Sequence, residues 1–434
     1  MGLLFYMNNL DHFMKLLYKS SKIKKREGSI YFYKKQSDFE FDRIEIKGSG
    51  HPDTLADALA FELSRNYSLY CINQFGVILN HNFDKIGILG GKVKIRFGFG
   101  RMLSPIRVII NGRASTKFAG KTIPLKSLLI KITKDFFKEK FPMLNIKEDL
   151  RIIYEVSQGS SPGQVYEKIT SYKRLHWFKP RGREDIKYLN GLVANDTVTT
   201  SAYYPLNKTG KIILEVEKRL NSKKYKSNKS WLGSDIKITG IRHFNKLYLT
   251  MAVPQICSHV HNLEEYKSNL EIIRKEVLKI IKSIDPNLDV NLLINTRDKY
   301  DPPELYLTYT GSSIETGDEG LVGRGNRPEG IINMTKPFAM EGVCGKNPVY
   351  HAGFIYSELS KKISKKLCEF IGDYVEVFIS SQSGRPLLDP WNISIINYSF
   401  KEFNKDKVKK IIFKELENIP EITREFLNGD IKSF

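Results

Sequence analysis

No stretch of this 434-residue chain approaches the roughly 18 to 20 consecutive apolar residues that a membrane-spanning helix needs. The opening MGLLFYMNNLDHF starts apolar, but Asn8, Asn9 and Asp11 break it before the core of a signal peptide is complete. Cysteine is scarce. The four present, Cys71, Cys257, Cys344 and Cys368, stand far apart with neither paired nor metal-ligand spacing, which excludes a disulfide scaffold and fits a reducing cytoplasm. GxxxxGK[ST] is absent, so the chain is not a P-loop protein. HRD and DFG are absent, so it is not a protein kinase. RNP, KH, zinc-finger and basic-zipper patterns are missing too, no low-complexity linker marks a boundary, and there is no exact repeat.

What is present in excess is positive charge, a formal +21. Basic residues crowd 19–35 and 207–230, which points to polyanionic partners in general. A lysine run is ordinarily a solvated face, and without a recognition motif nucleic acid is not the expected partner. Apolar residues at 41% and aromatics at 12% describe a folded chain, long enough for two to four compact units.

Strand and helix signals interleave along the whole length, the pattern of an α/β (α+β) protein. FEFDRIEIKG alternates as a strand. The segment from GSGHPD onward reads as a helix, with Asp53 as its capping residue and Leu55, Leu59 and Leu63 on one stripe. KIGILGGKVKIRFGFG, SPIRVIINGRAS, DVNLLINT and ELYLTYTG read as strands, and 127–141, 205–222, 262–283 and 349–369 as helices. Residues 1–40 read as a basic N-terminal extension with one short helix at 10–19.

Four glycine-framed polar clusters carry the chemistry. GSGHPD (48–53) puts His51 and Asp53 between a strand and a helix N-terminus, where free N–H groups favour anions and a carboxylate can hold a hard cation. VANDT (193–197) supplies Asn195 and Asp196. GDEGLVGRGNR (317–327) offers acids and two fork-shaped phosphate donors. EGVCGKNPVYH (341–351) adds Lys346, Asn347 and His351. Acids, arginines, a lysine and two histidines suit a magnesium polyphosphate better than a hydrolase triad.

These clusters in this order, together with FGVILNHNFD, SPIRVIINGRAS and SSQSGRPLLDP, resemble the archaeal-type S-adenosylmethionine synthetases from about residue 41 to about 395. The resemblance implies three similar interleaved domains in a pseudo-threefold arrangement, sheets covered by helices, working as a homodimer with interfacial active sites. It implies attack of the sulfur of L-methionine on ribose C5′ of ATP, with tripolyphosphate leaving and then being hydrolysed, assisted by Mg²⁺ and K⁺. His51, Arg324 and Lys346 are then expected to be catalytic, and Arg327, Asn347, His351, Asn195 and Asp196 to bind ATP or its phosphates. Asp318 and Arg101 fall on the methionine and adenosine side, and Asp53 and Asp84 are expected metal ligands.

The chain departs from the family's pattern at several points. Arg101 replaces a glutamate, QGSSPGQV lacks the aspartate of QGSxDL, Ile46 replaces the arginine of ERKGIGHPD, Phe354 the lysine of HVGKIYN, and Asn80 the first histidine of HHN. Two other classes stay open on these residues: a homologue with a changed acceptor or with triphosphate cleavage alone, and a non-catalytic nucleotide or polyanion binder.

Overall fold

Alternating burial along Phe41–Lys47, with Ile44 and Ile46 inside, makes this segment a strand of a five-stranded sheet. The computed structural model of the chain describes residues 2–20, 29–34, 41–159, 175–397 and 403–432. The sheet runs Asp289–Ile294, Lys246–Ala252, Lys237–His243, Phe41–Lys47, Ile332–Asn333. The helices Lys208–Asn221 and Leu263–Ile284 lie against it and each other. Asn262 caps the second, accepting from Glu265 N–H at 2.8 Å, and Tyr266, Leu270, Ile273, Val277 and Ile281 form its buried stripe.

A second five-stranded sheet joins Leu150–Ser157, Ile106–Ala114, Gly87–Leu89 and Glu319–Leu321, with His81–Asn82 also paired to Ile106–Ala114. The helices Pro52–Phe75 and Leu125–Lys140 belong to this unit. A third, four-stranded sheet orders Ser29–Lys34, Asn392–Asn397, Val375–Ser380 and Thr199–Tyr204, and packs against Ala352–Ile371. Strands distant in sequence share each of the three sheets. That interleaving lets loops from 48, 84, 195, 320 and 345 approach one another.

Pro52–Phe75 is the central helix. Leu55, Ala56, Leu59, Ala60, Leu63, Tyr67 and Cys71 are all fully buried, so the helix is covered around most of its circumference rather than along one stripe. It meets Ala352–Ile371 and Ile419–Asn428 through three aromatic rings, Phe61, Phe354 and Phe426, at edge-to-face centroid distances of 4.7–6.4 Å. The two helices that carry His51 and His351 at their N-termini are thereby fixed to each other.

Three expectations are corrected here. The cap of the central helix is His51, not Asp53: His51 is extended at φ −66°, ψ 137°, and its ring accepts the Asp53 N–H. The N-terminal segment is not an appendage. Leu10, Phe13, Met14 and Leu17, at i, i+3, i+4 and i+7, bury one face of the helix Gly2–Ser20 in the core, and Ser29–Lys34 pairs in parallel with Asn392–Asn397. ELYLTYTG pairs only at Pro303–Glu304 and Leu307–Thr308, because the buried Glu315 carboxylate takes the N–H groups of Tyr309 and Thr310 that a longer strand would use.

Candidate active site

Two groups of polar side chains face each other across one seam. The first surrounds His51. Because the ring Nδ1 accepts from Asp53 N–H at 3.2 Å, the proton of the neutral imidazole sits on Nε2, making that nitrogen a donor. Burial pulls the His51 pKa down, and the neighbouring Lys47 and Lys237 add to that, against Asp235 and Asp53. The imidazole is therefore neutral at pH 7.

Asp53, in the first helical turn, accepts from Leu321 N–H on Oδ1 at 3.0 Å and from the Lys47 ammonium on Oδ2 at 2.9 Å. The same ammonium donates to the carbonyl of Arg324 at 2.6 Å. Arg324 itself is exposed. Behind the helix loop, the buried Asp235 accepts from Tyr306 and from both Ser313 donors, and Ser313 Oγ also reaches Asp318 Oδ2 at 2.9 Å. Asp318 is thus tied into the His51 surroundings through one serine.

The second group lines a cavity of about 850 Å³ that includes Asp84, Lys85, Arg113, Asn195, Asp196 and His351. Gly345, at φ +80°, lets the chain pass so close to Phe83 that any side chain there would collide with its backbone. The next residue, Lys346, is 2% exposed, and its ammonium pairs with Glu341 beside the first turn of Ala352–Ile371. Burial lowers the Lys346 pKa to about 8, opposed by Asp84 and Asp196. The direct contact with Glu341 opposes it further, so the ammonium stays charged at neutral pH. His351 caps that helix with its backbone only. Its Nδ1 is buried without a hydrogen-bond partner, and burial plus Lys346, Lys85 and Arg113 drive the ring neutral. Asn195 Oδ1 takes the Ala352 N–H at 3.0 Å. A helix N-terminus, a buried ammonium and an orphan ring nitrogen converge there, an arrangement whose chemistry suits an anion.

The loops of the two groups meet where Gly342 packs on Gly323, so close that a side chain at 342 would collide with the Gly323 backbone. The Lys346 loop and the Arg324 loop are therefore neighbours, and no intervening side chain separates them.

The sequence-derived residues divide accordingly. His51, Asp53, Asp318 and Arg324 join the first group. Asp84, Asn195, Asp196 and His351 line the cavity of the second, and Lys346 lies buried beside it, paired with the lining residue Glu341. The remaining three make other contacts in this chain. Asn347 is fully buried, donates to Leu79 O and the His81 ring, and accepts from Val349 N–H, so its amide has no capacity left for phosphate. Arg327 is turned inward: it donates to Gly323 O, lies over the Phe338 ring at 5.6 Å, and is charge-coupled to Asp57. Arg101 sits on the exposed face of the Lys92–Arg96/Phe99–Ser104 hairpin, opposite Lys94, outside both groups. The residues of QGSSPGQV from 160 onward lie outside the described residues.

Lys47, Asp57, Asp235, Glu341 and Arg113 were not singled out from sequence. Asp57 follows Asp53 by one helical turn, a spacing that could have drawn attention. Lys47 and Glu341 stand only six and five residues from Asp53 and Lys346, which they pair with, whereas Asp235 and Arg113 carry no local signal because the groups they face lie far away in the chain.

Among the described residues no group of three or more His, Cys, Asp or Glu side chains is placed to hold a metal ion alone. Asp53 keeps a second lone pair on each oxygen, and Asp84, paired with Lys85 at 2.8 Å, borders the cavity. Nor is any helix among the described residues long and apolar enough to cross a membrane.

A sequence model of S-adenosylmethionine synthetase (AdoMet synthetase) matches residues 31–430, further at both ends than the motifs alone suggest. The chain is 36% identical over 405 residues to the S-adenosylmethionine synthase of Hyperthermus butylicus, covering 90% of this chain and 95% of that one. It is 34% identical to that of Saccharolobus solfataricus, covering 91% and 96%. In three dimensions it superposes on an unusual S-adenosylmethionine synthetase from Campylobacter jejuni with a TM-score of 0.52 at 14% identity, over 89% of each chain, a likeness of fold. With the family model spanning most of its length and its relatives matched nearly end to end, the chain belongs to the S-adenosylmethionine synthetase family.

Proposed function

We propose that this protein is a methionine adenosyltransferase whose two polar groups together hold ATP: the Lys346 cavity takes the polyphosphate and the His51 group takes the reacting end. The sulfur lone pair of methionine forms the S–C5′ bond while the C5′–O bond breaks, and its electron pair leaves on tripolyphosphate. A thioether sulfur needs no general base. The barrier lies in alignment and in stabilising a leaving group of about four to five negative charges.

The residues supply that stabilisation. His51 donates from Nε2 to the departing oxygen without delivering a full charge. Lys346, Arg324 and the N-terminal amides of Ala352–Ile371 face the phosphates. Mg²⁺ held by Asp53, and K⁺ near Asp84, would neutralise further charge on the bound polyphosphate. Hydrolysis of tripolyphosphate at the same site, and a homodimer with interfacial sites, belong to this reading. Its main support is the buried Lys346 ammonium at a helix N-terminus beside the unpartnered His351 Nδ1.

Incubation with ATP, methionine, Mg²⁺ and K⁺, followed by mass spectrometry, tests it, and S-adenosylmethionine is the expected product. Phosphate release without a sulfonium product would reduce the activity to triphosphate cleavage. No turnover, with steeply salt-dependent nucleic-acid binding, would replace it by a polyanion binder.

A further inference from the structure

Arg324 is held by its backbone in an unusual way. The buried carboxylate of Asp57 accepts from Gly323 N–H on Oδ1 at 2.7 Å and from Gly325 N–H on Oδ2 at 3.0 Å, bracketing Arg324. A side chain at position 325 would collide with Asp57 Oδ2, so only glycine admits the carboxylate. From the other side the Lys47 ammonium takes the Arg324 carbonyl. Lys47 is also stitched to the next residue but one, since its N–H donates to Asn326 Oδ1 at 3.0 Å and its carbonyl accepts from Asn326 Nδ2 at 2.9 Å. Both charged groups are turned inward: Asp57 is 4% exposed and Lys47 9%.

A buried charge without partners is costly; here Asp57 is satisfied by the backbone on either side of a single exposed arginine, and Lys47 by that arginine's carbonyl together with Asp53. The Gly323 N–H, the Arg324 carbonyl and the Gly325 N–H are consequently tied to the strand Phe41–Lys47 or the helix Pro52–Phe75. The loop cannot rotate there without breaking charge-assisted hydrogen bonds.

We propose that Lys47 and Asp57 are positioning residues that clamp the backbone of Arg324 from both sides and aim its guanidinium at the polyphosphate. The proposal rests on the functional reading above. Neither residue touches the ligand. The effect of Asp57 passes through Arg324, whereas Lys47 also holds the Asp53 carboxylate at 2.9 Å.

A double-mutant cycle reads this directly, with inorganic tripolyphosphate and Mg²⁺ as the titrant in calorimetry. Asp57→Asn, which keeps one acceptor, is expected to weaken binding about tenfold. In an Arg324→Ala background the same change should then move binding less than about twofold. Effects that multiply undiminished would overturn the proposal, because Asp57 would then act independently of Arg324. Amide exchange of the segment 321–327 gives a second reading that needs no ligand. It should accelerate in Asp57→Asn while the core of Pro52–Phe75 stays protected, and unchanged exchange would also overturn the clamp. Failure of the unmodified protein to bind tripolyphosphate at all would instead remove the functional reading, and with it the target of Arg324.

Discussion

Lys346→Ala is the perturbation that the site geometry resolves best. At an effective dielectric of about 20, an ammonium about 4 Å from one phosphate charge is worth about 4 kcal/mol. The cost of burying that ammonium is already met in the free protein, as its pKa near 8 shows, so the ligand receives most of the attraction. ATP carries much of its charge before reaction, and one further unit develops on the leaving oxygen. The loss therefore divides between KM and kcat, and kcat/KM should fall about 10²–10³-fold. The fold should survive. Glu341, left without its partner, is about a third exposed and can turn to water, while the backbone links of residue 346 to Asn82 and Ser64 do not involve the ammonium. The assay is sulfonium formation from ATP and methionine under single-turnover conditions, with circular dichroism and melting temperature as controls. A kcat/KM within about fivefold of the unmodified protein, with the fold intact, would refute the assignment of Lys346 to the polyphosphate.

Glu341→Gln removes the anion that competes with phosphate for the same ammonium, so tripolyphosphate binding should tighten several-fold in calorimetry. The pH dependence follows from the direction of the Lys346 shift: the charged form binds phosphate, so kcat/KM for ATP should fall as pH rises through about 8, at most tenfold per unit. Lys346→Arg should move that alkaline limb out of range, since a guanidinium stays protonated there. Phe354→Lys, which restores the residue usual in the family, should lower stability by about 3–5 kcal/mol in urea unfolding, because it breaks the ring contacts with Phe61 and Phe426 and buries an unpaired ammonium.

The elements were legible wherever burial follows a simple period. The stripe of Leu263–Ile284, with Asn262 before it, and the alternation of Phe41–Lys47 are written in neighbouring residues. Periodicity also marks Leu10, Phe13, Met14 and Leu17, yet the surrounding lysines draw the eye to charge and away from that face. His51 as a helix cap is not legible, because Ser, Thr, Asp and Asn are the usual caps and Asp53 stands two residues on. The order of the glycine-framed clusters gave the family, and hence most residues of both groups. Which polar residues turn inward was not available. Asn347 looks like a ligand contact by type, and only its partners, Leu79, His81 and Val349, show otherwise; Arg327 gives one N–H to Gly323 O and keeps a buried Nε without a partner.

The departures from the family's pattern take on meaning once burial is known. Ile46 is inside the first sheet's core, on the strand whose next residue is Lys47. Phe354 completes an aromatic trio behind the Lys346 wall. Asn80 accepts from the hydroxyl of Tyr350, one residue before His351. At two of these positions an apolar residue fills space behind the site, and at the third a neutral amide holds a neighbouring tyrosine. Asn80 lines the cavity where the family's pattern has a histidine, whereas Ile46 and Phe354 lie behind it. Exchanging a buried charge for packing behind a cationic wall stabilises the scaffold without lowering the field at the wall itself, since a buried ion pair is often no more stabilising than well-packed apolar groups. The chain can therefore diverge at residues its relatives keep polar and still retain the arrangement of Lys346, Arg324 and His51 on which the proposed chemistry depends.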